Sequence, residues 1–352
     1  MILPSIRFLG LVAPGDTRWE EALDKVPHDF FHLSAYLKAC ALHEHGEAQL
    51  FLLDAGSHGM LVPFLKRPLG AFGSAFQDYS DASSPYGYPC PLYWGDGCEE
   101  LLPEMHRHFD TFMGEQKIVS IFLRLNPFLG ASVDVLAGLG ETLTHGPTTF
   151  IDLRDEHASW MEINSSNRQF ITRTLAMGCT LRFDDWEAMD PSIEAYTQTM
   201  ARLGAVDYYY FPKAFFHTLH EKQPEHFHLV TCYEPMGQLA GGAFFTEVGG
   251  LIQYFLTGTF TQFTPLSPAK LMINAMRLWG VERGHHTLHL GGGLGAQKDN
   301  LYEFKERLSR GRTTFSTFRK VLLPEVYSAL SQGRELDGDH YFPAYRRPEL
   351  VS

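Results

Sequence analysis

Residues 48–67, AQLFLLDAGSHGMLVPFLKR, and residues 226–248, HFHLVTCYEPMGQLAGGAFFTEV, decide how the chain is read. Each holds two apolar runs of strand character around a short turn segment, AGSHG in one and EPMGQ in the other. Each therefore predicts a β-hairpin. A short helix precedes both. Residues 30–46, FFHLSAYLKACALHEHG, predict a helix entered through Ser34, and residues 211–223, FPKAFFHTLHEKQ, predict one with Pro212 near its start. Phe31 and Phe211 are 180 positions apart, as are Phe64 and Phe244. After each hairpin comes a Gly/Pro/Tyr-rich stretch, a longer helix and another strand. These are 99–114 and 117–125 in the first half, and 267–284 and 286–291 in the second. The order predicts a duplicated α/β unit with its seam near residues 145–165. An N-terminal domain is expected over 1–150, a C-terminal domain over 151–330, and a polar surface extension over 331–352.

Two further helices open the second half, 165–178 and 190–204. In the first, Ser166 with Gln169 three residues on predicts a capping box, and Gly178 a stop.

The composition bounds the function. The chain has 352 residues, 44% of them hydrophobic and 13% aromatic, enough for a large core and against general disorder. No run approaches the roughly 18 apolar residues of a membrane span. The opening MILPSIRFLGLVAPGD lacks the basic and apolar regions of a signal peptide, so a cytoplasmic location is expected. Net charge is -12, which argues against a DNA partner and a general nucleic-acid coat. Five scattered cysteines, Cys40, Cys90, Cys98, Cys179 and Cys232, contain no C-x-x-C and read as buried reduced thiols.

Residues 286–311, HTLHLGGGLGAQKDNLYEFKERLSRG, carry the chemistry. Thr287 to Leu290 predict a strand, and Gly291, Gly292, Gly293 and Gly295 a flexible connector. Asn300 with Glu303 predicts a capped helix bearing an apolar stripe of Leu301, Phe304 and Leu308. Lys305 falls at the edge of that stripe, where a lysine must snorkel or meet an anion. It is the candidate cation for a phosphate or a developing oxyanion. The alternative is a solvated lysine whose stem covers apolar surface. The glycine run does not spell G-x-G-x-x-G, and no G-x-x-x-x-G-K-[ST] occurs, so both nucleotide loops are rejected.

Ser267-Pro268 predicts an N-cap and first turn, with Lys270 adding positive charge where an anion would be welcome. Residues 76–96, which include Asp78, Tyr79, Asp81, Tyr86 and Tyr88, read as a cleft-lining or surface loop. DYYYF, 207–211, has the same ambiguity. There are 17 histidines, but no H-E-x-x-H; His285 and His289 sit on a turn and a strand, and no metal site is expected. G-x-S-x-G is also absent. Lys305, Arg307, Arg310, Arg312, Arg319 and Lys320 concentrate positive charge late in an acidic chain, as a phosphate-bearing cosubstrate would need.

LHLGGG, a short polar gap and NLYEFKERLSRG resemble the terminal signature of the FemABX-like acyltransferases of the GNAT superfamily. SSPYGYP (83–89) resembles the Tyr-Gly-Tyr loop of that family's first unit, and 167–178 the basic helix opening its second. The resemblance covers roughly 28–322. It implies an α/β (α+β) fold of tandem GNAT-like domains, each with a mixed, splayed sheet flanked by helices. It implies transfer of an acyl or aminoacyl group to an amine of a small molecule or envelope precursor, as in cell-envelope or polysaccharide biosynthesis. Acyl-CoA or aminoacyl-tRNA would be the cosubstrate, with no tightly bound cofactor. Phe304-Lys305 matches the family's Phe-Lys pair, which implies Lys305 as the catalytic cation. Gly292 and Gly293 would admit substrate close to the backbone, with Arg168, Tyr86, Lys38 and Lys270 as further substrate contacts. The long helical arms of some tRNA-using members are missing, and the [QR]-x-x-G-x-[GA] loop is not evident between Leu256 and Lys270. The competing class is a non-catalytic binding module of the same fold, recognising an envelope precursor or nucleotide sugar. A histidine-dependent metal hydrolase ranks last.

Overall fold

The computed structural model describes residues 3–131, 133–332 and 341–347. The chain forms two compact units, 1–144 with 316–352, and 145–315. In chain order its elements are β1 (Phe8–Val12), α1 (Thr17–Leu23), α2 (Ser34–Glu44), β2 (Glu47–Asp54), β3 (Gly59–Pro68), β4 (Ser80–Ser83), β5 (Leu92–Trp94), α3 (Cys98–Glu115), β6 (Ile118–Leu125) and α4 (Val133–Ala137). Then come β7 (Glu141–Asp152), α5 (Glu156–Glu162), α6 (Ser165–Ala176), β8 (Thr180–Phe183), α7 (Met189–Leu203), α8 (Lys213–Lys222) and β9 (Phe227–Tyr233). The last are β10 (Leu239–Val248), β11 (Leu251–Thr259), α9 (Pro268–Glu282), β12 (Thr287–Gly291), α10 (Asn300–Glu306), β13 (Gly311–Val321) and α11 (Pro324–Ser331).

In the first unit the strands run β1-β2-β3-β4-β6 and end on Ser316–Val321 of β13. In the second they run β7-β12-β11-β10-β9-β8. Within each unit the strands pair antiparallel apart from one parallel pair, β4 with β6 and β11 with β12. A parallel pair needs a crossover, and α3 and α9 provide it. The hairpin registers repeat at one offset: Gln49 faces Phe64, and Leu229 faces Phe244. Both partners shift by the same 180 positions that separate Phe64 from Phe244, so the duplication reaches individual rungs.

The second sheet is covered on both faces, which is why its central strands read as apolar runs. Ala243, Phe245 and Ile252 join Leu271, Met272 and Met276 of α9 in one core. On the opposite face Phe244 packs against Phe216 of α8. There α7 lies on the paired residues Gly242 and Gly258. A Cβ on Gly258 would stand 2.0 Å from the Tyr196 backbone nitrogen, and one on Gly242 2.3 Å from Ser192 Oγ. Only glycine lets the helix approach this closely.

Three expectations are corrected. Residues 316–330 were assigned to the second domain, but β13 from Ser316 pairs with β6 of the first. The tail from 331 was read as a surface extension. Residues 333–340 and 348–352 lie outside the described residues, yet Tyr345 is fully buried. Its hydroxyl bonds Ser120 and donates to Asp81, and Arg346 and Arg67 both pair with the Asp81 carboxylate. A buried carboxylate demands such partners, and the polar look of the tail hid them. Finally, the caps differ. Asp299, not Asn300, caps α10, accepting from Tyr302 N; Asn164, not Ser166, caps α6. Ser267 lies in the left-handed region at φ 42 and makes no side-chain cap to α9.

Candidate functional site

Strand β12 meets β11 in parallel from Leu251↔Thr287 to Gln253↔His289. Both strands continue past that rung, β11 to Thr259 and β12 to Gly291, whose partner is then Thr149 of β7. The chain leaves β12 through Gly291 at φ 78, a conformation suited to glycine. Gly292 and Gly293 follow. A Cβ on Gly293 would meet Gln297 O at 2.1 Å and Asp299 Oδ1 at 2.3 Å, so the turn into α10 closes only with a bare backbone.

Helix α10 then delivers two neighbouring side chains in different directions. Lys305 is 9% exposed, and its ammonium donates to the Gly292 carbonyl at 2.8 Å. Burial pushes this lysine down to about 8, and the negative charge of Asp299 opposes that shift. A buried ammonium that keeps spare N–H donors suits a developing oxyanion, because attraction is strong where water is excluded. The stripe expected on this helix is only partly apolar: Leu308 is buried, while Leu301 is 41% exposed.

Phe304 instead lines a cleft of about 250 Å³ with Asn167, Lys270, Asn300, Glu303 and Arg307. Lys270, in the first turn of α9, also lies over the Phe170 ring at 4.5 Å. Burial lowers its pKa first, and the neighbouring Arg307 charge adds to that. Arg307 also bonds Glu303 at 3.4 Å. Two cations, two amides and one carboxylate around a small cleft can hold an anionic group by charge-assisted hydrogen bonds.

The sequence-predicted residues thus divide. Lys305 and Gly292 are joined by a hydrogen bond, and Phe304 and Lys270 share the cleft. Arg168 does neither: its guanidinium is bonded to the carbonyls of Met161 and Ile163, bracing the turn between α5 and α6. Lys38, exposed on α2, and Tyr86 belong to the first unit. Tyr86 N donates to Glu44, and its carbonyl accepts from Tyr36 Oη at 2.6 Å. Asn167 in the cleft was not singled out by the sequence, and Asn300, read there only as a helix cap, also lines it. Gln253 and Thr148, also unremarked, both bond the buried His289. Burial and the nearby Lys305 charge push His289 down to about 3, so it stays neutral. Among the described residues no group of three or more His, Cys, Asp and Glu is placed to hold a metal ion.

A family model described as an acetyltransferase (GNAT) domain matches residues 165–306, the stretch holding Lys305 and every cleft residue but Arg307. That stretch is therefore similar to a GNAT acetyltransferase domain. The fold of the whole chain has counterparts among solved structures at low sequence identity. It is similar to the crystal structure of FemX, with TM-score 0.69 and 14% identity over 91% of this chain and 99% of that one. It is also similar to L-PGS from Bacillus licheniformis, with TM-score 0.54 and 12% identity over 87% and 92%. A conserved protein from Bacteroides thetaiotaomicron aligns with TM-score 0.59 and 9% identity over 89% and 100%. No curated protein matches the chain by sequence.

Proposed function

We propose that this acyltransferase moves an acyl or aminoacyl group from a phosphate-bearing donor, acyl-CoA or aminoacyl-tRNA, to an amine on an envelope or polysaccharide precursor. The observation that carries the reading is the Lys305 ammonium, buried on the Gly292 carbonyl at the end of β12. Attack of a neutral amine on an ester or thioester forms a tetrahedral oxyanion. A fixed cation stabilises that charge more than it stabilises the neutral ground state, which is what lowers a barrier. The Lys270–Arg307 cleft receives the donor's anionic part. The likeness to FemX and L-PGS in fold supports an envelope setting. No described helix is long and apolar enough to cross a membrane.

Lys305→Ala tests the chemistry. The variant should fold, bind donor, and lose turnover by on the order of 100-fold or more, as when an oxyanion donor is removed. Full turnover by the folded variant removes Lys305 from the mechanism. Mass spectrometry of ligands retained on purification would distinguish a CoA thioester from an aminoacyl ester.

A further inference from the structure

We propose that His289, together with Gln253 and Thr148, is a positioning residue for Lys305, fixing the end of β12 so that the Gly292 carbonyl is presented to the ammonium. This rests on the reading of Lys305 as the electrostatic group of the transfer step.

The three side chains come from three adjacent strands. His289 Nδ1 is 2.8 Å from Gln253 Oε1, and Nε2 is 2.9 Å from Thr148 Oγ1. All three are buried. Because Gln253 Oε1 only accepts, Nδ1 carries the proton; Nε2 then accepts from the Thr148 hydroxyl, and the ring is one neutral tautomer. The Gln253–His289 bond spans the last parallel rung of β11 and β12. Beyond it, the same β7 segment that supplies Thr148 backs the glycine run. Thr149 Oγ1 donates to the Gly291 carbonyl at 3.3 Å, and a Cβ on Gly292 would stand 3.0 Å from the Pro147 carbonyl oxygen. The backbone from His289 to Gly292 is thus held from both neighbouring strands, and Gly292 O is the atom that holds Lys305.

The cluster also keeps a second positive charge away. Lys305 faces Asp299 at the start of α10, whose charge it feels, and His289, which stays neutral beside it. Buried polar side chains that bond one another are held rigid, whereas the same groups unbonded would admit water. Loosening it should let Lys305 hydrate and titrate more like an ordinary lysine.

The test uses the full chain with ¹³C-labelled lysine. NMR titration of Lys305 is compared in the native protein, His289→Leu, Thr148→Val and His289→Gln, alongside the pH profile of kcat. In His289→Leu the Lys305 midpoint should rise by about a pH unit or more. Its kcat should fall by on the order of 10–100-fold, as for a misplaced reacting group, with the acceptor KM unchanged. Thr148→Val should move both readouts the same way. His289→Gln, whose amide can still bond Thr148, should restore most of both. Should His289→Leu fail to fold, Thr148→Val carries the test. An unchanged Lys305 midpoint and kcat profile in the folded variants would overturn the proposal. The titration needs no turnover, so it stands apart from the Lys305→Ala result: a fully active Lys305→Ala removes the chemical role, while the coupling between His289 and Lys305 is judged on the midpoint.

Discussion

Lys270 and Arg307 present like charges to one cleft from two different helices, the first turn of α9 and the residue after α10. The Arg307 charge adds to the cost that burial places on the Lys270 ammonium unless an anion lies between them. Lys270→Ala or Arg307→Ala should therefore raise the donor KM about tenfold or more, the worth of one charged hydrogen bond. In Arg307→Ala the Lys270 titration should move up. Steady-state kinetics with sulfate as competitor reads the first effect and NMR the second. An unchanged donor KM in both variants would remove the cleft from donor binding.

Lys305 weakens the fold that it serves. Its folded value of about 8 lies below its ordinary value of 10.5. Below about pH 8 both folded and unfolded chains hold the proton, and the burial penalty is complete. Between about 8 and 10.5 the unfolded chain holds a proton that the native chain has released, so stability rises with pH across that window. At about 1.4 kcal/mol per pH unit the penalty is on the order of 3 kcal/mol. Lys305→Met should raise the unfolding free energy at pH 7 by about 1–2 kcal/mol, after the lost bond to Gly292 is allowed for, while losing turnover. Denaturant melts would show it, and a less stable Met variant would contradict it. In the native enzyme the transfer rate should decline as pH rises through about 8 and the ammonium is lost.

A histidine cluster around Glu247 should couple the stability of the second unit to acid. His226 and His285 flank Glu247, at 3.3 and 3.8 Å. Partial burial alone would raise Glu247, but His226, His285 and His228 hold it below the ordinary value. His226 is raised, chiefly by its bond to Glu247, so its contribution is present below the unfolded histidine value and fades as pH rises through the folded one. His285, stacked on Trp279, is lowered by burial, so acid works the other way there: the unfolded chain takes up the proton first, and stability falls. His285→Phe keeps the ring stack and removes this titration. It should flatten the stability loss just below the ordinary histidine range, measured by melts from pH 7 to about 5; an identical slope would count against the assignment.

Tyr345 is a core residue of the first unit. Its ring meets Phe72 and Tyr327 edge-on, and its hydroxyl is satisfied by Ser120 and Asp81. Tyr345→Ala should cost about 3–5 kcal/mol, the usual loss for a buried aromatic. Chemical denaturation read by a probe in the first unit would show it. A cost under about 1 kcal/mol would fit an ornamental tail instead.

The sequence was most informative where local pattern and repetition agreed. The two hairpins, the crossover helices and the 180-residue offset were legible, because apolar runs between turn residues leave few alternatives. Cap positions were legible only to within one or two residues. Asp299 and Asn300 are both capping types, and the extended backbone at Asp299 made the choice. Lys305 could be placed beside an apolar stripe, but its burial depends on Gly292, thirteen residues earlier, folding back to meet it. Gln253 and Thr148 were invisible for a stronger reason. They reach His289 across 36 and 141 positions, and only the sheet brings such distant residues together. The bonds of Arg168 to the Met161 and Ile163 carbonyls were not legible either, because backbone partners leave no mark in a sequence.

Ownership of the β13 strand has a consequence for biogenesis. The first unit is bounded by β6, whose outer neighbour is Ser316–Val321. A growing chain therefore exposes the raw edge of β6 throughout synthesis of the entire second unit. Unpaired edges of this kind invite mispairing. Nascent chains stalled before residue 316 should bind chaperones through that margin, and its late closure, across almost two hundred positions, should set the slowest step of maturation.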